Sequence, residues 1–312
     1  MKKLVLILAF FSSLFAEFSL ENGLWYMSWE QSDKPNDSKI SSPIENKFTI
    51  NDALVYEFGI SGKYKNIKAY GSYLNFEDTP EHYTEKADKM TQYSGYLGLD
   101  FENIESAFKY RYSKTDGTAN GIDPDTLKKA RVEFNTELRI YDLIFYPKFS
   151  NLPNYIGIGY RNINYTLPQS LYVIADNKVV DKMVEPQMEW DANYITLSVD
   201  NSRKILDKYS YEKMGDGYFI NLMYGYGFDV KADSSVATKT KLNSYIKNPK
   251  GDFLETEVGY LLFKRIAGGT LYLKVGYRYI EQILETSKSD VYIYAKSTSK
   301  FQGAFFSMGV SF

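Results

Sequence analysis

The chain has 312 residues and a net charge of −2 at pH 7, so its charge balance does not predict a nucleic-acid partner. It contains no cysteine and a single histidine, which excludes a disulfide framework, thiol catalysis and a metal site built from several histidines. Aromatic residues make up 17% of the chain, with 29 tyrosines, while the mean hydropathy is −0.37. Few water-soluble domains combine so many tyrosines with a hydrophilic average.

The first sixteen residues have the pattern of a secretory signal peptide. Lys2 and Lys3 precede an apolar run over 4–11, and the small residue Ala16 precedes the acidic Glu17. We predict cleavage after Ala16, which makes 1–16 the signal peptide and 17–312 a single mature domain. The apolar run is too short for a membrane helix, and no later stretch approaches the roughly twenty apolar residues that such a helix requires. The mature chain is therefore expected to leave the cytoplasm without a helical anchor.

Runs with a period of two, separated by turn residues, predict about twelve β-strands along the mature chain. Several of them span the roughly nine to eleven residues that a tilted strand needs to cross the hydrocarbon of a bilayer. In chain order the predicted strands are Gly23–Gln31, Ala53–Ser61, Ile67–Phe76, Tyr93–Phe101, Ile104–Tyr112, Arg131–Ile140, Tyr155–Tyr165, Asn193–Val199, Tyr218–Val230, Leu254–Leu262, Leu271–Tyr279 and Phe301–Phe312.

The sixth predicted strand has the most regular alternation of apolar and charged residues. Its predicted lipid-facing side consists of Val132, Phe134, Leu138 and Ile140. Its predicted inner side consists of Arg131, Glu133, Asn135, Glu137 and Arg139. We expect this arrangement because strands of a membrane barrel point their apolar side chains outward to lipid and their polar ones into the lumen.

The last predicted strand also alternates and ends on an aromatic carboxylate, Phe312. The apolar face consists of Ala304, Phe306, Met308 and Val310. The opposite face consists of Gly303, Ser307, Gly309 and Ser311, with Phe305 as the exception. A small, polar face opposite an oily face fits a strand between a lumen and lipid.

The links between predicted strands alternate between short and long, as in barrels with short periplasmic turns and longer outer loops. Links after the second, fourth and tenth strands are short. The links over 141–154 and 200–216 break this pattern, which leaves ten or fourteen strands as alternatives to twelve. In the external link after the seventh strand, 171–175 and 179–180 flank Asp176-Asn177-Lys178 and predict a hairpin that continues above the membrane.

The signal peptide, the tyrosine-rich amphipathic strands and the final strand ending in Phe312 together resemble the outer-membrane β-barrel proteins of Gram-negative bacteria. The resemblance implies an all-β fold, a transmembrane antiparallel up-and-down barrel of about twelve strands. It implies location in the cell outer membrane, contact with its lipid and lipopolysaccharide, and insertion by the barrel assembly machinery. In that process Phe312 would be the assembly signal. The resemblance covers the mature chain but selects no functional family.

Alternation along the predicted strands places charged residues of both signs on the inner face. These residues would line a narrow water-filled pore, or would pair with one another and hold a nearly closed barrel rigid; the sequence leaves both open. The predicted pore-lining residues are Lys109, Arg111, Arg131, Glu133, Glu137, Arg139, Asp229, Glu255, Glu257, Lys274 and Arg278. Further inward acids predicted in the same way are Glu57, Asp100 and Glu105.

The sequence favours a passive, porin-like channel for small hydrophilic solutes, without a cofactor or a metal ion. One alternative is an adhesin or structural barrel with a sealed lumen. Another is a lipid or peptide hydrolase that uses His82, the only imidazole of the chain. The outer-membrane phospholipase and lipid A deacylase families place a serine two residues after their catalytic histidine, whereas this chain has Thr84. Catalysis is therefore not the favoured function.

Overall fold

The computed structural model describes residues 17–35, 46–77, 86–122, 129–148, 155–175, 178–201, 216–234, 247–287 and 294–312. The predicted signal peptide over 1–16 and the candidate catalytic His82 lie outside these ranges. None of the described residues forms a helix long and apolar enough to cross a membrane.

Twelve strands account for nearly all of the described residues. They are β1 (Glu17–Pro35), β2 (Asn46–Tyr64), β3 (Ile67–Glu77), β4 (Lys86–Asp100), β5 (Ile104–Ile122), β6 (Lys129–Pro147), β7 (Tyr155–Ala175), β8 (Lys178–Asp200), β9 (Gly217–Ser234), β10 (Lys247–Ile266), β11 (Gly269–Ser287) and β12 (Tyr294–Ser311).

Each strand pairs antiparallel with its neighbours in the chain, and β1 pairs with β12 to close the barrel. The closing register joins Ser19 to Ser311 and Trp25 to Phe305. Closure removes the open sheet edges, whose unpaired N–H and C=O groups would each cost several kcal/mol in hydrocarbon. The predicted all-β, antiparallel up-and-down barrel of about twelve strands is confirmed.

The strands are longer than predicted, from 11 residues in β3 to 23 in β8. The predicted link over 141–154 is wrong, because β6 continues to Pro147 and β7 begins at Tyr155. The predicted hairpin is confirmed, since β7 and β8 remain paired up to Ala175 and Lys178; its external location stays a prediction. At the opposite end, Gly268 in the turn between β10 and β11 has a φ of 84°, a value that glycine adopts without strain.

The outer surface of the barrel exposes large apolar side chains on successive strands. In β12, Phe306 and Met308 are exposed while Phe305 and Ser307 are buried, which confirms the alternation predicted for the last strand. The same face of other strands exposes Leu24, Leu97, Leu143, Phe145, Ile158, Ile195 and Leu197. Tyrosines lie on the same surface, and the ring centroids of Tyr73 and Tyr93 are 5.3 Å apart. A contiguous apolar surface of this kind is rare on monomers in water and suits hydrocarbon.

The orientation predicted for the sixth strand is wrong. Ile140 is buried inside the barrel, and Arg139 lies on the outside with 49% of its side chain exposed. The pairing register explains this orientation, because Ile140 lies opposite the inward-facing Arg111 whereas Arg139 lies opposite the outward-facing Tyr112. The outward-facing apolar residues of β6 are Leu143 and Phe145, which belong to the apolar belt, the band of exposed apolar side chains around the barrel. They lie in a segment that the sequence assigned to a link. Most of the regular alternation precedes them and lies beyond the belt, where the outer face of a barrel is free to be polar.

The inside of the barrel is filled largely by apolar and aromatic side chains. One cluster includes Trp25, Met27 and Trp29 of β1, and a second includes Trp190 and Tyr194 of β8. All three tryptophans of the chain are thus buried inside rather than placed at the lipid interface. Aromatic rings also lie over luminal glycines: a Cβ added to Gly225 would be 2.0 Å from a ring carbon of Phe253, and one added to Gly309 would be 2.1 Å from Tyr272. The charged residues of the lumen are embedded in these surroundings.

Candidate functional site in the barrel lumen

A cluster of four charged side chains crosses the lumen of the barrel. This central cluster consists of Arg111 of β5, Asp142 of β6, Arg161 of β7 and Glu255 of β10. Inward positions of the four strands bring these residues together. Their charges sum to zero, since two guanidinium groups face two carboxylates.

Arg161 holds both carboxylates of the central cluster. Its Nε and Nη2 donate to Asp142 Oδ1 at 2.5 Å and Oδ2 at 3.0 Å. Its Nη1 and Nη2 donate to Glu255 Oε1 at 2.7 Å and Oε2 at 3.2 Å. The guanidinium also lies 4.0 Å from the ring centroid of Phe253. With 1% of its side chain exposed, Arg161 is fixed by its partners on every side.

Arg111 reaches the same glutamate from the other side of the lumen. Its Nη1 and Nη2 donate to Glu255 Oε1 at 3.0 Å and Oε2 at 3.4 Å. In the ring of twelve strands β5 and β10 are five neighbours apart, almost the largest possible separation. Side chains from opposite walls therefore meet at this height.

A second cluster consists of Glu57 of β2, Glu257 of β10 and Arg278 of β11. Arg278 donates to Glu257 at 3.0 Å and to Glu57 at 3.2 Å. Its guanidinium lies between Trp25 and Phe305, 5.0 and 5.1 Å from their ring centroids. Aromatic faces attract a cation electrostatically, so these rings add to the attraction of the carboxylates.

Further ion pairs follow toward the end of the barrel that holds both termini. Lys274 donates to Glu21 at 2.8 Å, and Glu21 also accepts a hydrogen bond from Ser307. Lys109 lies 3.5 Å from Asp200. A last group consists of Lys68, Tyr96, Asp100, Glu105 and Lys148. Acidic and basic groups are thus paired from the central cluster to the end of the lumen that holds both termini.

Most predicted pore-lining residues lie on the luminal face. They are Lys109, Arg111, Glu255, Glu257, Lys274 and Arg278, and the further inward acids Glu57, Asp100 and Glu105 join them. All of them form ion pairs in the structure. That they line a conducting pore stays a prediction.

Three predicted luminal residues lie on the outer face instead. Glu137 and Arg139 pair with each other there at 3.1 Å, because the register of β6 turns them outward. Asp229 bonds to Asn193 and Lys231 on the outer surface. A bulge between Asn193 and Tyr194 shifts the register opposite β9, so the alternation that holds before it is reversed at Asp229.

Two further predicted residues, Arg131 and Glu133, belong to β6, but their side chains are outside what the structure describes.

The sequence interpretation missed Asp142 and Arg161, the most deeply buried members of the central cluster. Asp142 lies in the segment assigned to a link, although it has the same parity as Ile140 and Ile144. Arg161 lies in a strand whose alternation is blurred by Asn162 and Asn164 on the outer face. Extending β6 would not by itself have identified Asp142 as inward, because its parity is that of Ile140, which the sequence had assigned to the lipid face.

Among the described residues no group of three or more metal-ligating side chains is arranged to hold a metal ion. The luminal groups are ion-pairing and hydrogen-bonding side chains, and they are suited to contact water and small polar or charged solutes.

No protein-family model matches this chain, and no curated protein matches it. Solved structures with a similar shape include the translocator domain of the autotransporter NalP from Neisseria meningitidis, 11% identical, with a TM-score of 0.45, covering 100% of this chain and 94% of that one. The Pseudomonas putida toluene transporter TodX is 7% identical, with a TM-score of 0.40 and coverage of 94% and 88%. A Pseudomonas aeruginosa FadL homologue is 9% identical, with a TM-score of 0.38 and coverage of 95% and 90%. At these values the likeness carries no inference about function.

Proposed function

We propose that this chain is an outer-membrane barrel that acts as a narrow channel for small hydrophilic solutes, and that the central cluster closes it at rest. The observation that carries the proposal is the ion pair between Arg111 and Glu255, which joins nearly opposite walls of the lumen. Parting of this pair would widen the lumen at the central cluster without disturbing the backbone pairing of the barrel.

The outer face supports the membrane location. Burying a leucine, isoleucine or phenylalanine side chain is favourable by about 1.5–3 kcal/mol, and the belt includes many such groups. The free energy of unfolding of a typical domain is only about 5–15 kcal/mol, so exposing this many apolar side chains to water would offset it. Contact of the same side chains with hydrocarbon stabilises the fold. Export by the predicted signal peptide, insertion by the barrel assembly machinery and contact with lipopolysaccharide belong to the same proposal.

The chemistry of the lumen supports a role in passage. Replacing buried ion pairs by packed apolar residues is often neutral or stabilising, so ion pairs are not the best way to seal a barrel permanently. This barrel nevertheless places Asp142, Arg161 and Glu255 in its lumen, beside apolar side chains. Because charged side chains attract water and ions, their presence at the constriction favours a constriction that opens over a permanent seal.

Recordings from the refolded chain in planar bilayers test the proposal. Wild-type protein is expected to give rare, discrete conductance steps. Glu255→Gln weakens both bonds that Arg111 makes, and it should raise the frequency of these steps. Arg139→Gln is the matched control, because it alters an ion pair on the outer face and should leave the recordings unchanged. If correctly folded barrels of all three proteins are silent, the channel proposal is wrong.

The pairing of the luminal charges also favours a second candidate, a sealed structural or adhesive barrel. In that case the ion pairs act as fixed cross-links and no variant of the central cluster conducts. Deleting an outer loop would then change binding to surfaces or cells while the barrel remains folded.

If the protein is instead a hydrolase, it should cleave phospholipid, lipid A or peptide in detergent, and His82→Ala should abolish the activity. Retained cleavage in this variant would exclude His82 as the base.

A further inference from the structure

The two arginines of the central cluster differ in how firmly they are held. Arg161 makes four hydrogen bonds to two carboxylates, with 1% of its side chain exposed. Arg111 makes two longer bonds, of 3.0 and 3.4 Å, to Glu255 alone, and 25% of its side chain is exposed. Arg111 is therefore the more readily released of the two.

The release of Arg111 leaves both carboxylates of the central cluster hydrogen-bonded to Arg161. Glu255 keeps both of its bonds to Arg161, so no buried carboxylate loses its last cation. Movement of Arg161 would instead strand Asp142, whose side chain is buried and which pairs with Arg161. Leaving a buried charge uncompensated is strongly unfavourable, whereas a partly exposed guanidinium regains solvent when it moves.

Only one of the two contacts to Glu255 joins nearly opposite walls. The ion pair of Arg111 spans five strand positions around the ring, and the pair of Arg161 with Glu255 spans three. The ion pairs of Lys109 with Asp200 and of Arg278 with Glu57 likewise span three positions. The easily released contact is thus also the one that crosses the lumen.

We propose that Arg111 is a displaceable latch that small carboxylate anions open. A carboxylate entering the lumen would take the place of Glu255 on the guanidinium, whose planar fork binds such groups through two parallel bonds. Glu255 stays hydrogen-bonded to the buried Arg161, whereas the released guanidinium of Arg111 is the most exposed charge of the cluster and faces the passing solute. The open channel therefore prefers anions. This inference rests on the proposed channel function and names its solute class and its regulation.

The absence of cysteine from the chain allows a direct test with a single introduced thiol. Wild type is recorded in planar bilayers in potassium chloride, and again with part of the chloride replaced by acetate at constant ionic strength. The open probability is expected to rise about fivefold or more, the lower end of the usual coupling between two ligands. Inorganic phosphate in place of acetate distinguishes a general oxyanion effect from a preference for carboxylates.

Arg111→Cys should be open without acetate and should not respond to it. Reaction with a trimethylammonium-ethyl methanethiosulfonate should restore anion preference, measured as the reversal potential in a salt gradient. The sulfonato-ethyl reagent should shift the preference to cations. Arg139→Cys is the matched control, because it introduces the same thiol on the outer face. After reaction with the same reagents, its recordings should match those of wild type. Arg111→Lys keeps the charge without the fork, so it should open more often than wild type and still prefer anions.

The failures of the two proposals are distinguishable. Conducting wild type that ignores acetate, with an Arg111→Cys selectivity unaffected by either reagent, would overturn the latch and leave the channel intact. Silence of folded wild type, Arg111→Cys and Arg111→Lys would overturn the channel itself and the latch with it.

Discussion

Replacing Arg161 with methionine measures how firmly the central cluster holds the barrel. The substitution keeps an unbranched apolar side chain beside Phe253 but removes the only hydrogen-bonded cation that Asp142 has in this cluster. Removing one partner of a buried ion pair costs about 3–5 kcal/mol. Glu255 retains Arg111, whereas Asp142 keeps only the more distant charge of Lys109, so the expected loss is about 3 kcal/mol, roughly a hundredfold in the folding equilibrium constant.

The matched control is Arg139→Met, which makes the same substitution on the outer face. The side chains of Arg139 and Glu137 are 49% and 34% exposed, and such surface pairs contribute about 0–1 kcal/mol. Unfolding in urea from lipid vesicles, followed by circular dichroism, gives both values. Adding Asp142→Asn to Arg161→Met should restore stability, because it removes the uncompensated charge. A loss for Arg161→Met within about 1 kcal/mol of the control, or no restoration in the double variant, would refute this account of the cluster.

Three further predictions concern the outer face, the packing and the seam. Leu197→Arg places a charge in the apolar belt and should cost about 2–4 kcal/mol in vesicle unfolding; a negligible loss would mean that this face does not contact lipid. Gly225→Val inserts a side chain into the ring of Phe253 and should cost about 1–3 kcal/mol, an effect that Phe253→Ala should largely remove; equal losses in both backgrounds would contradict the steric cause. Phe312→Ser removes a ring stacked on Phe18 at 5.0 Å and the predicted assembly signal, so pulse-chase labelling should show slower insertion in cells; an unchanged rate would exclude that role.

The architecture was predictable because alternation is a local property of the sequence, and because a sheet in hydrocarbon has to close on itself. The last strand illustrates this, since Phe306 and Met308 face outward and Ser307 faces inward as predicted. A period of two cannot, however, say which face of a strand is the inner one when both faces are mixed. Arg139 is the example: its charge suggested the lumen, but its position above the belt makes the outer face equally suitable for it.

The ion pairs of the lumen were not predictable from spacing. Arg161 and Glu255 are 94 residues apart in sequence, and the contact depends on the register of every strand between them. A single bulge in that path, such as the one at Asn193, reverses which residues face inward, and it moved Asp229 to the outer surface. Alternation therefore identifies most of the luminal charges but not their partners, and the partners decide whether the lumen is open or closed.

The aromatic surroundings of the luminal arginines determine what kind of signal opens such a constriction. Phe253 covers Arg161, and Trp25 and Phe305 enclose Arg278, so little water contacts these guanidinium groups. At 0.15 M salt, interactions between exposed charges more than about 8 Å apart are largely screened, whereas interactions within buried pairs are screened much less. Raising the ionic strength is thus a poor way to part them, and a group that bonds to the guanidinium itself is an effective one. Arg111, which has the weakest hold and the best access to solvent in the central cluster, is the point where such a group competes with Glu255.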